Sequence, residues 1–131
     1  MVKKQSIWIV DDDEEMTAAI RLMLNLLNYE ASSFLNARSV IQKLTSGTVP
    51  DLFLLDINMP EVSGLELLSY LRHREEWKHL PVIMLSNEAT DVVKNRAMEL
   101  GADAYLPKPV TMEEMDKVLN QTFQKPQKGF S

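Results

Sequence analysis

The stretch "LFLLDINMPEVSG" (52–64) decides how this chain is interpreted. It begins with four apolar residues, reaches a carboxylate at Asp56, and has a proline and a glycine within the next eight residues. A continuous apolar run is typical of a strand covered on both faces, and Pro and Gly indicate a turn. The stretch therefore predicts a buried strand that brings one charged side chain to its carboxyl end.

Four further runs extend this pattern in both directions. "SIWIV" (6–10), "PVIML" (81–85) and "AYLP" (104–107) are nearly continuous in apolar residues, whereas "EASSF" (30–34) is more polar and alternates. Longer segments with helical spacing separate the runs, as is typical of βα units around a parallel sheet. We therefore predict five strands and five helices in one domain, with 30–34 as an edge strand.

Each intervening segment carries an apolar stripe at helical spacing. The stripes are Met16, Ile20, Met23, Leu24 and Leu27; Val40, Ile41 and Leu44; Leu65, Leu68 and Leu71; Val93, Ala97 and Leu100; and Met115, Val118 and Leu119. Gly101 follows the fourth stripe, where a left-handed residue commonly ends a helix. The polar stretch "QKPQKGFS" (124–131) predicts a linker or terminal tail, so the predicted domain spans 1–123.

Composition excludes several classes of function. The net charge is −5, which argues against a surface that follows nucleic-acid phosphates, because such surfaces are basic. There is no cysteine, so disulfides, thiolate metal sites and thiol catalysis are excluded. The first apolar run is too short for a signal peptide or membrane span. We expect a cytoplasmic protein without direct contact to nucleic acid or membrane.

Chemistry-bearing residues follow the predicted strands at the points where they end. Ligands of open parallel sheets bind beyond the carboxyl ends of the strands, so these residues are expected to converge on one edge. They are Asp11, Asp12, Asp13, Asp56, Ser86 and Lys108. Four acids, one hydroxyl and one amine would thus meet there.

Several carboxylates at one edge require a compensating cation at neutral pH. Magnesium uses one or two carboxylates, keeps several waters and accepts a phosphate oxygen. Asp12 and Asp56 are predicted to bind it directly, Asp11 through water, and Asn58 through its backbone carbonyl. An alternative for "DDDEE" (11–15) is that its acids open a helix and meet the dipole, which accounts for 13–15 but not for Asp56.

The amine and the hydroxyl suggest phosphate chemistry. Lys108 lies between two prolines in "LPKPV" (106–110), so its backbone is restrained, and its ammonium could pair with a phosphoryl oxygen or with Asp56. An ordinary solvated lysine is the alternative. Ser86 could donate its hydroxyl to the same oxygen; as a nucleophile it is unconvincing, because no histidine is placed to activate it.

Taken in order, four segments resemble the receiver domain of two-component response regulators, from about Ser6 to Phe123. "IVDDD" resembles the acidic pair, "LLDINMPEVSG" the phosphoacceptor segment, "PVIMLSNEA" the segment with the switch hydroxyl, and "GADAYLPKP" the segment with the lysine. The resemblance implies an α/β, flavodoxin-like, doubly wound (βα)5 fold with strand order 2-1-3-4-5. That order agrees with a polar second strand at an edge.

The resemblance also implies a reaction. Asp56 would accept a phosphoryl group from a phosphohistidine on a sensor histidine kinase or phosphotransfer protein. Asp11 and Asp12 would hold Mg²⁺ or Mn²⁺, with the Asn58 carbonyl completing the protein ligands. Lys108 would neutralise a phosphoryl oxygen, as expected where positioning and charge stabilisation carry the catalysis.

A conformational switch is the second implication. Ser86 would swing in to bond the phosphoryl group, and the rotamer of Tyr105 would follow; plain packing of Tyr105 is an equal alternative. The surface of helix 4, strand 5 and helix 5 would respond, acting on an output domain, a downstream protein or a homodimer partner. Asn87 stands where the family usually has a very small residue, so Asn87 and Glu88 are predicted to control access to the site.

Two alternatives stay open. One is a phosphatase or phosphotransferase that turns over small phosphoesters through an aspartyl phosphate; such enzymes generally carry a second Asp two residues on, where this chain has Asn58. The other is a pseudo-receiver that binds partners without phosphorylation. The complete acid, hydroxyl and lysine set favours a phospho-accepting protein that is not a turnover enzyme.

Overall fold

The computed structural model describes residues 3–59, 61–88 and 90–124, and it consists of five successive βα units. The strands are β1 Ser6–Val10, β2 Glu30–Phe34, β3 Leu52–Asp56, β4 Val82–Ser86 and β5 Ala104–Pro107. The helices are α1 Glu14–Leu26, α2 Ala37–Thr45, α3 Gly64–Arg72, α4 Asp91–Glu99 and α5 Met112–Gln124. The predicted alternation of strands and helices is confirmed.

All neighbouring strands pair in parallel, in the order β2-β1-β3-β4-β5. The predicted fold class and strand order are therefore confirmed. Among the strands of the described residues, β2 pairs only with β1, so it is an edge strand, and it is only half-buried, whereas β3 is buried along its length. This difference follows from the sequences of the two strands, since "EASSF" has too little apolar surface to be covered on both faces.

The side chains of the central strands alternate between two apolar layers. One layer packs Trp8, Phe53 and Met84 against α2, α3 and α4, and the other packs Ile9, Leu54 and Ile83 against α1 and α5. Both faces of the sheet are thus covered by helices, as the nearly continuous apolar runs predict. The side chains that could carry chemistry are left at the ends of the strands.

Three details differ from the sequence-based expectation. β4 begins at Val82, one residue later than predicted, because Pro81 has no N–H for the ladder. It also ends one residue later, so that Ser86 is the last residue of the strand. In α3 the fully buried positions include Leu67, which the predicted stripe omitted. Trp77, in the connection to β4, is a core residue that no periodic pattern indicated.

Helix ends match their expected signals. Gly101 has a φ of +105° directly after the C-cap of α4, so the predicted left-handed helix end is confirmed. α5 extends to Gln124, one residue beyond the predicted domain boundary; the rest of the predicted tail, 125–131, lies outside the described residues. Within the described ranges, no helix has the length and apolarity that a membrane crossing requires.

Candidate functional site

Three acids meet at the carboxyl edge of the sheet. One carboxylate oxygen from each of Asp11, Asp12 and Asp56 lies within 4.8 Å of the other two. Asp11 and Asp56 are buried, whereas Asp12 is exposed. β1 and β3 are hydrogen-bonded neighbours in the sheet, and this pairing brings the residues at their ends together. The predicted convergence is confirmed for these acids.

The backbone around the end of β1 fixes Asp11. Its N–H donates to the carbonyl of Phe34 at 3.1 Å, and its Oδ1 accepts from the N–H of Asp13 at 3.0 Å. Asp13 is itself the N-cap of α1, accepting from Met16 N–H, while Glu14 and Glu15 occupy the first turn. The helix-opening interpretation is therefore confirmed for 13–15, and Asp11 and Asp12 belong to the site.

Lys108 reaches the same point from the end of β5. Its Nζ lies 3.2 Å from Asp11 Oδ2 and 3.2 Å from Asp56 Oδ1, and its side chain is only 4% exposed. Its N–H also donates to the carbonyl of Ser86 at 2.8 Å, which holds the start of the β5–α5 connection against β4. Lys108 is thus an ion-paired residue of the site and not a solvated surface lysine.

One lysine does not balance two buried acids. Burial, together with the charge of Asp11, raises the pKa of Asp56 from its ordinary 3.8 to about 6, although Lys108 and the N–H of Asn58 oppose the shift. Burial works against the ammonium of Lys108, yet Asp11 and Asp56 raise its pKa above the ordinary value. The site therefore has an excess of negative charge that a bound cation would relieve.

Ser86 and Tyr105 contact the same residue of the β4–α4 loop. The buried hydroxyl of Ser86 accepts from the N–H of Glu88 at 2.9 Å, and the hydroxyl of Tyr105 donates to the carbonyl of Glu88. A movement of Ser86 would release one side of this residue while Tyr105 holds the other. The structure thus gives Tyr105 a polar contact that plain packing would not require.

Two loops meet at the entrance to the site. The side-chain amide of Asn58, after β3, donates to Glu88 Oε1 at 3.3 Å, and both residues are exposed. Asn87 is exposed beside them. The sequence indicated Asn87 and Glu88 as access residues without predicting this bridge. The metal-ligand role of the Asn58 carbonyl stays a prediction.

Gly64 lies beside the acid cluster, and the sequence alone did not explain why a glycine is needed at this position. A Cβ placed on it would lie 2.0 Å from the carbonyl oxygen of Asp56, so any side chain there would displace the end of β3. Its N–H donates to the carbonyl of Ile57 at 3.0 Å. Ser63 before it caps α3 in a capping box with Glu66. The glycine is needed for close approach to β3, which only the packing of α3 reveals.

The fold and this edge define a class of protein: a five-stranded parallel α/β sandwich with an acidic cluster and a lysine at the carboxyl ends of its strands. A family model for the response regulator receiver domain matches residues 7–120. The chain belongs to this family, whose members act in two-component signalling, and the resemblance seen in the sequence is confirmed.

Individual relatives agree with this assignment. The chain is 34% identical over 110 residues to the polar-differentiation response regulator DivK of Brucella ovis, covering 82% of this chain and 87% of DivK. It is 32% identical over 112 residues to protein RcaC of Microchaete diplosiphon, covering 83% of this chain but 17% of RcaC. The solved structure of chemotaxis protein CheY4 of Vibrio cholerae matches with 25% identity and a TM-score of 0.84, covering 92% and 99% of the two chains.

Proposed function

We propose that this receiver domain accepts a phosphoryl group on Asp56, taken from the phosphohistidine of a sensor histidine kinase or phosphotransfer protein. The observation that carries the proposal is the position of Asp56, whose carboxylate lies beside two further acids and 3.2 Å from the ammonium of Lys108. An acid–lysine edge of this kind suits a group that is both a nucleophile and a metal ligand.

In the proposed transfer, an oxygen of Asp56 forms a bond to phosphorus while the phosphorus–nitrogen bond of the phosphohistidine breaks. The imidazole leaves with the bonding electron pair and takes up a proton. Lys108, already within ion-pair distance, holds one equatorial oxygen, and the hydroxyl of Ser86 turns from Glu88 to donate to another. Reaction requires ionised Asp56, and because its pKa is raised to about 6 in the metal-free protein, this carboxylate is mostly ionised there only above about pH 6.

Mg²⁺, or Mn²⁺, is the proposed cofactor. Three carboxylates whose oxygens lie within 4.8 Å of one another supply the hard oxygen ligands that these ions prefer. Asp11, Asp12 and Asp56 would hold the ion, with the Asn58 carbonyl as a neutral ligand. When bound, the ion would neutralise the excess charge of the acids and stabilise charge on the phosphoryl oxygens.

Transfer would switch the surface formed by α4, β5 and α5. Ser86, at the end of β4, and Tyr105, in β5, both contact Glu88, so turning Ser86 toward a phosphoryl oxygen changes a contact shared with Tyr105. The proposed recipients of the signal are an output domain, a downstream protein or a second copy of the chain. A homodimer would appear on sedimentation as a doubled mass after phosphorylation, and an unchanged mass would rule it out.

We propose that the protein is a cytoplasmic signalling component and not a turnover enzyme. Asn58 occupies the position two residues after the nucleophile, and its amide cannot serve as the general acid of an aspartyl-phosphate phosphatase. Asn87 and Glu88, with the Asn58 bridge, would limit how phosphodonor and water reach Asp56. Replacing Asn87 with Ala is expected to change the lifetime of the phosphorylated form without removing the modification.

Incubation with Mg²⁺ and acetyl phosphate tests the proposal. Mass spectrometry should detect a base-labile increase of one phosphoryl group, which Asp56→Asn abolishes and chelation prevents. Asp12→Asn retains the acceptor but weakens metal binding, so it should need more Mg²⁺ for the same extent of modification. An adduct that persists in Asp56→Asn would contradict the assignment. No adduct would favour a pseudo-receiver, and continuous phosphate release from varied phosphoesters would favour an enzyme.

A further inference from the structure

A cavity of about 360 Å³ lies at the amino edge of the sheet, at the opposite end of the strands from Asp56. It is open to solvent on one side, and its walls are formed by segments that immediately precede β1, β3 and β4 together with the last turn of α5. Its walls include Gln5, Val49, Asp51, Leu80, Thr122 and Phe123. The proposed phosphotransfer uses none of these residues.

Thr122 is the unusual member of this wall. Thr122 is only 4% exposed, yet its hydroxyl forms no hydrogen bond with any residue in the described part of the chain. In the described part of the chain, every fully buried polar side-chain atom has a hydrogen-bond partner. Because the Thr122 hydroxyl has none, its oxygen is not fully buried, and we infer that it faces the cavity that Thr122 lines. A hydroxyl that opens onto a cavity without a protein partner is satisfied by water or by a ligand there.

Two carboxylates, Asp51 and Asp103, line the cavity together with one imidazole, that of His79. Asp51 accepts from the N–H of Ser6 at 2.7 Å through Oδ2, and among the described residues no cation lies within ion-pair distance of it. Asp103 also lines the cavity, but its charge is paired with Arg72 at 3.1 Å. Asp51 is therefore the carboxylate that can attract a positive ligand group, and Val49, Leu80 and Phe123 form the apolar part of a mixed wall, on which the body of a ligand can pack.

We propose that this cavity binds a small organic cation, an amine with an aryl or alkyl body, through Asp51 and the hydroxyl of Thr122. The ammonium faces the Asp51 carboxylate and donates to Thr122, and the body packs on Leu80, Val49 and Phe123. Ligand pockets usually enclose about 300–1,000 Å³, so a cavity at the low end of this range takes a fragment-sized ligand. Affinity in the millimolar range is expected for so small a contact.

Three probes of matched shape test the charge preference: 2-phenylethylamine, 2-phenylethanol and 3-phenylpropanoate. Each is titrated into the isotope-labelled full chain while backbone amide shifts are followed by NMR. The amine should give saturable shifts at Gln5, Leu80 and Phe123, with weaker shifts from the alcohol and none from the carboxylate. Equal shifts from all three probes, shifts centred elsewhere, or no saturation by the amine would overturn the proposal.

Two variants assign the binding to the named groups. Asp51→Asn should weaken the amine about two- to fivefold, as expected for an exposed ion pair, and should leave the alcohol unaffected. Glu15→Gln, which removes the same charge at the other edge, is the matched control and should change nothing. Equal effects of the two variants would show that only net charge matters and would refute the site.

Thr122→Val separates a ligand contact from a structural one. If the hydroxyl serves a ligand, the variant weakens the amine about two- to tenfold while the melting temperature of the unliganded protein stays the same or rises. If the hydroxyl supports the fold, the melting temperature falls and the amine affinity of the folded protein is unchanged. The second pattern would overturn the assignment of Thr122.

Discussion

The two edges of the sheet each carry buried charges, but they balance them differently. At the amino edge Arg72 pairs with Asp103 at 3.1 Å, and both side chains are nearly buried. At the carboxyl edge Lys108 stands 3.2 Å from each of two acids, Asp11 and Asp56. At the amino edge one cation pairs with one acid, whereas at the carboxyl edge one cation is shared by two acids and a negative charge is left uncompensated.

The hydrogen bonds of Arg72 show how the charge at the amino edge is held in place. Burial lowers the pKa of Arg72 while Asp103 opposes that shift, and the planar guanidinium spreads its donors over several fixed acceptors. These acceptors are the carbonyls of Gly101, Lys78 and Leu80 and the carboxylate of Asp103. The arrangement ties α3, the connection to β4 and the start of β5 together. A matched and saturated pair therefore stabilises the fold, and an unmatched set provides a site.

Replacing Arg72 with Met is expected to have the largest effect on stability. The change takes the guanidinium away from three carbonyls and from the nearly buried Asp103, whose charge is then not compensated by the remaining hydrogen bond from the N–H of Val82. This loss costs about 3–5 kcal/mol of unfolding free energy. Urea denaturation measures the loss. Arg74→Met is the control, because Arg74 is exposed and lies over the ring of Trp77, and its loss should be far smaller. Similar losses for both variants would contradict a structural role specific to Arg72.

Lys108→Met should destabilise the metal-free protein by about 2–4 kcal/mol at neutral pH, since two buried acids then lack their cation. The comparison with Arg72 is sharpened by adding Mg²⁺. Metal binding should stabilise Lys108→Met more than it stabilises the wild type, whereas Arg72→Met should gain only as much as the wild type, because the acid cluster found among the described residues lies at the carboxyl edge and not beside Arg72. Thermal denaturation with and without chelator measures this, and equal responses of the two variants would remove the distinction.

Asp56→Asn should stabilise the metal-free protein at neutral pH by an amount on the order of 1–3 kcal/mol. The folded pKa of about 6 lies above the ordinary 3.8, so the wild-type protein loses stability relative to the variant as pH rises through this window. Below about pH 4 the carboxyl is protonated in both states, and the advantage of the variant should vanish. Urea midpoints of the two proteins across this pH range test the sign; an advantage that grows toward acid pH would be the wrong sign.

Tyr105→Phe is expected to have the smallest effect. It removes one hydrogen bond to the carbonyl of Glu88, which costs about 0.5–1.5 kcal/mol. In the variant, Glu88 is held only through its N–H, which donates to the hydroxyl of Ser86. The β4–α4 loop should therefore be looser than in the wild type. Faster amide exchange at Glu88, with unchanged exchange in β1, is the expected observation. Unchanged exchange at Glu88 would favour the interpretation of Tyr105 as plain packing.

Much of the carboxyl edge could be predicted from sequence because strands of a parallel sheet end together. Apolar runs located the strand ends, and Asp11, Asp56, Ser86 and Lys108 then fell on one edge without any knowledge of contacts. The bridge from Asn58 to Glu88 could not be predicted, since it joins two loops whose shapes depend on packing. Arg72 was missed for the same reason: as an ordinary arginine at a helix end, it carries no local signal of burial.

The sequence by itself determined the five strands, their alternation with helices, the family and the acids and lysine of the proposed phosphoryl site, because periodicity and strand ends are local properties of the chain. Tertiary structure decided which charges are balanced. The pairing of Arg72 with Asp103, the sharing of Lys108 by two acids, the need for Gly64 beside Asp56 and the open hydroxyl of Thr122 all depend on distances between residues remote in sequence. Burial and charge balance act through space, so only the packed molecule reveals them.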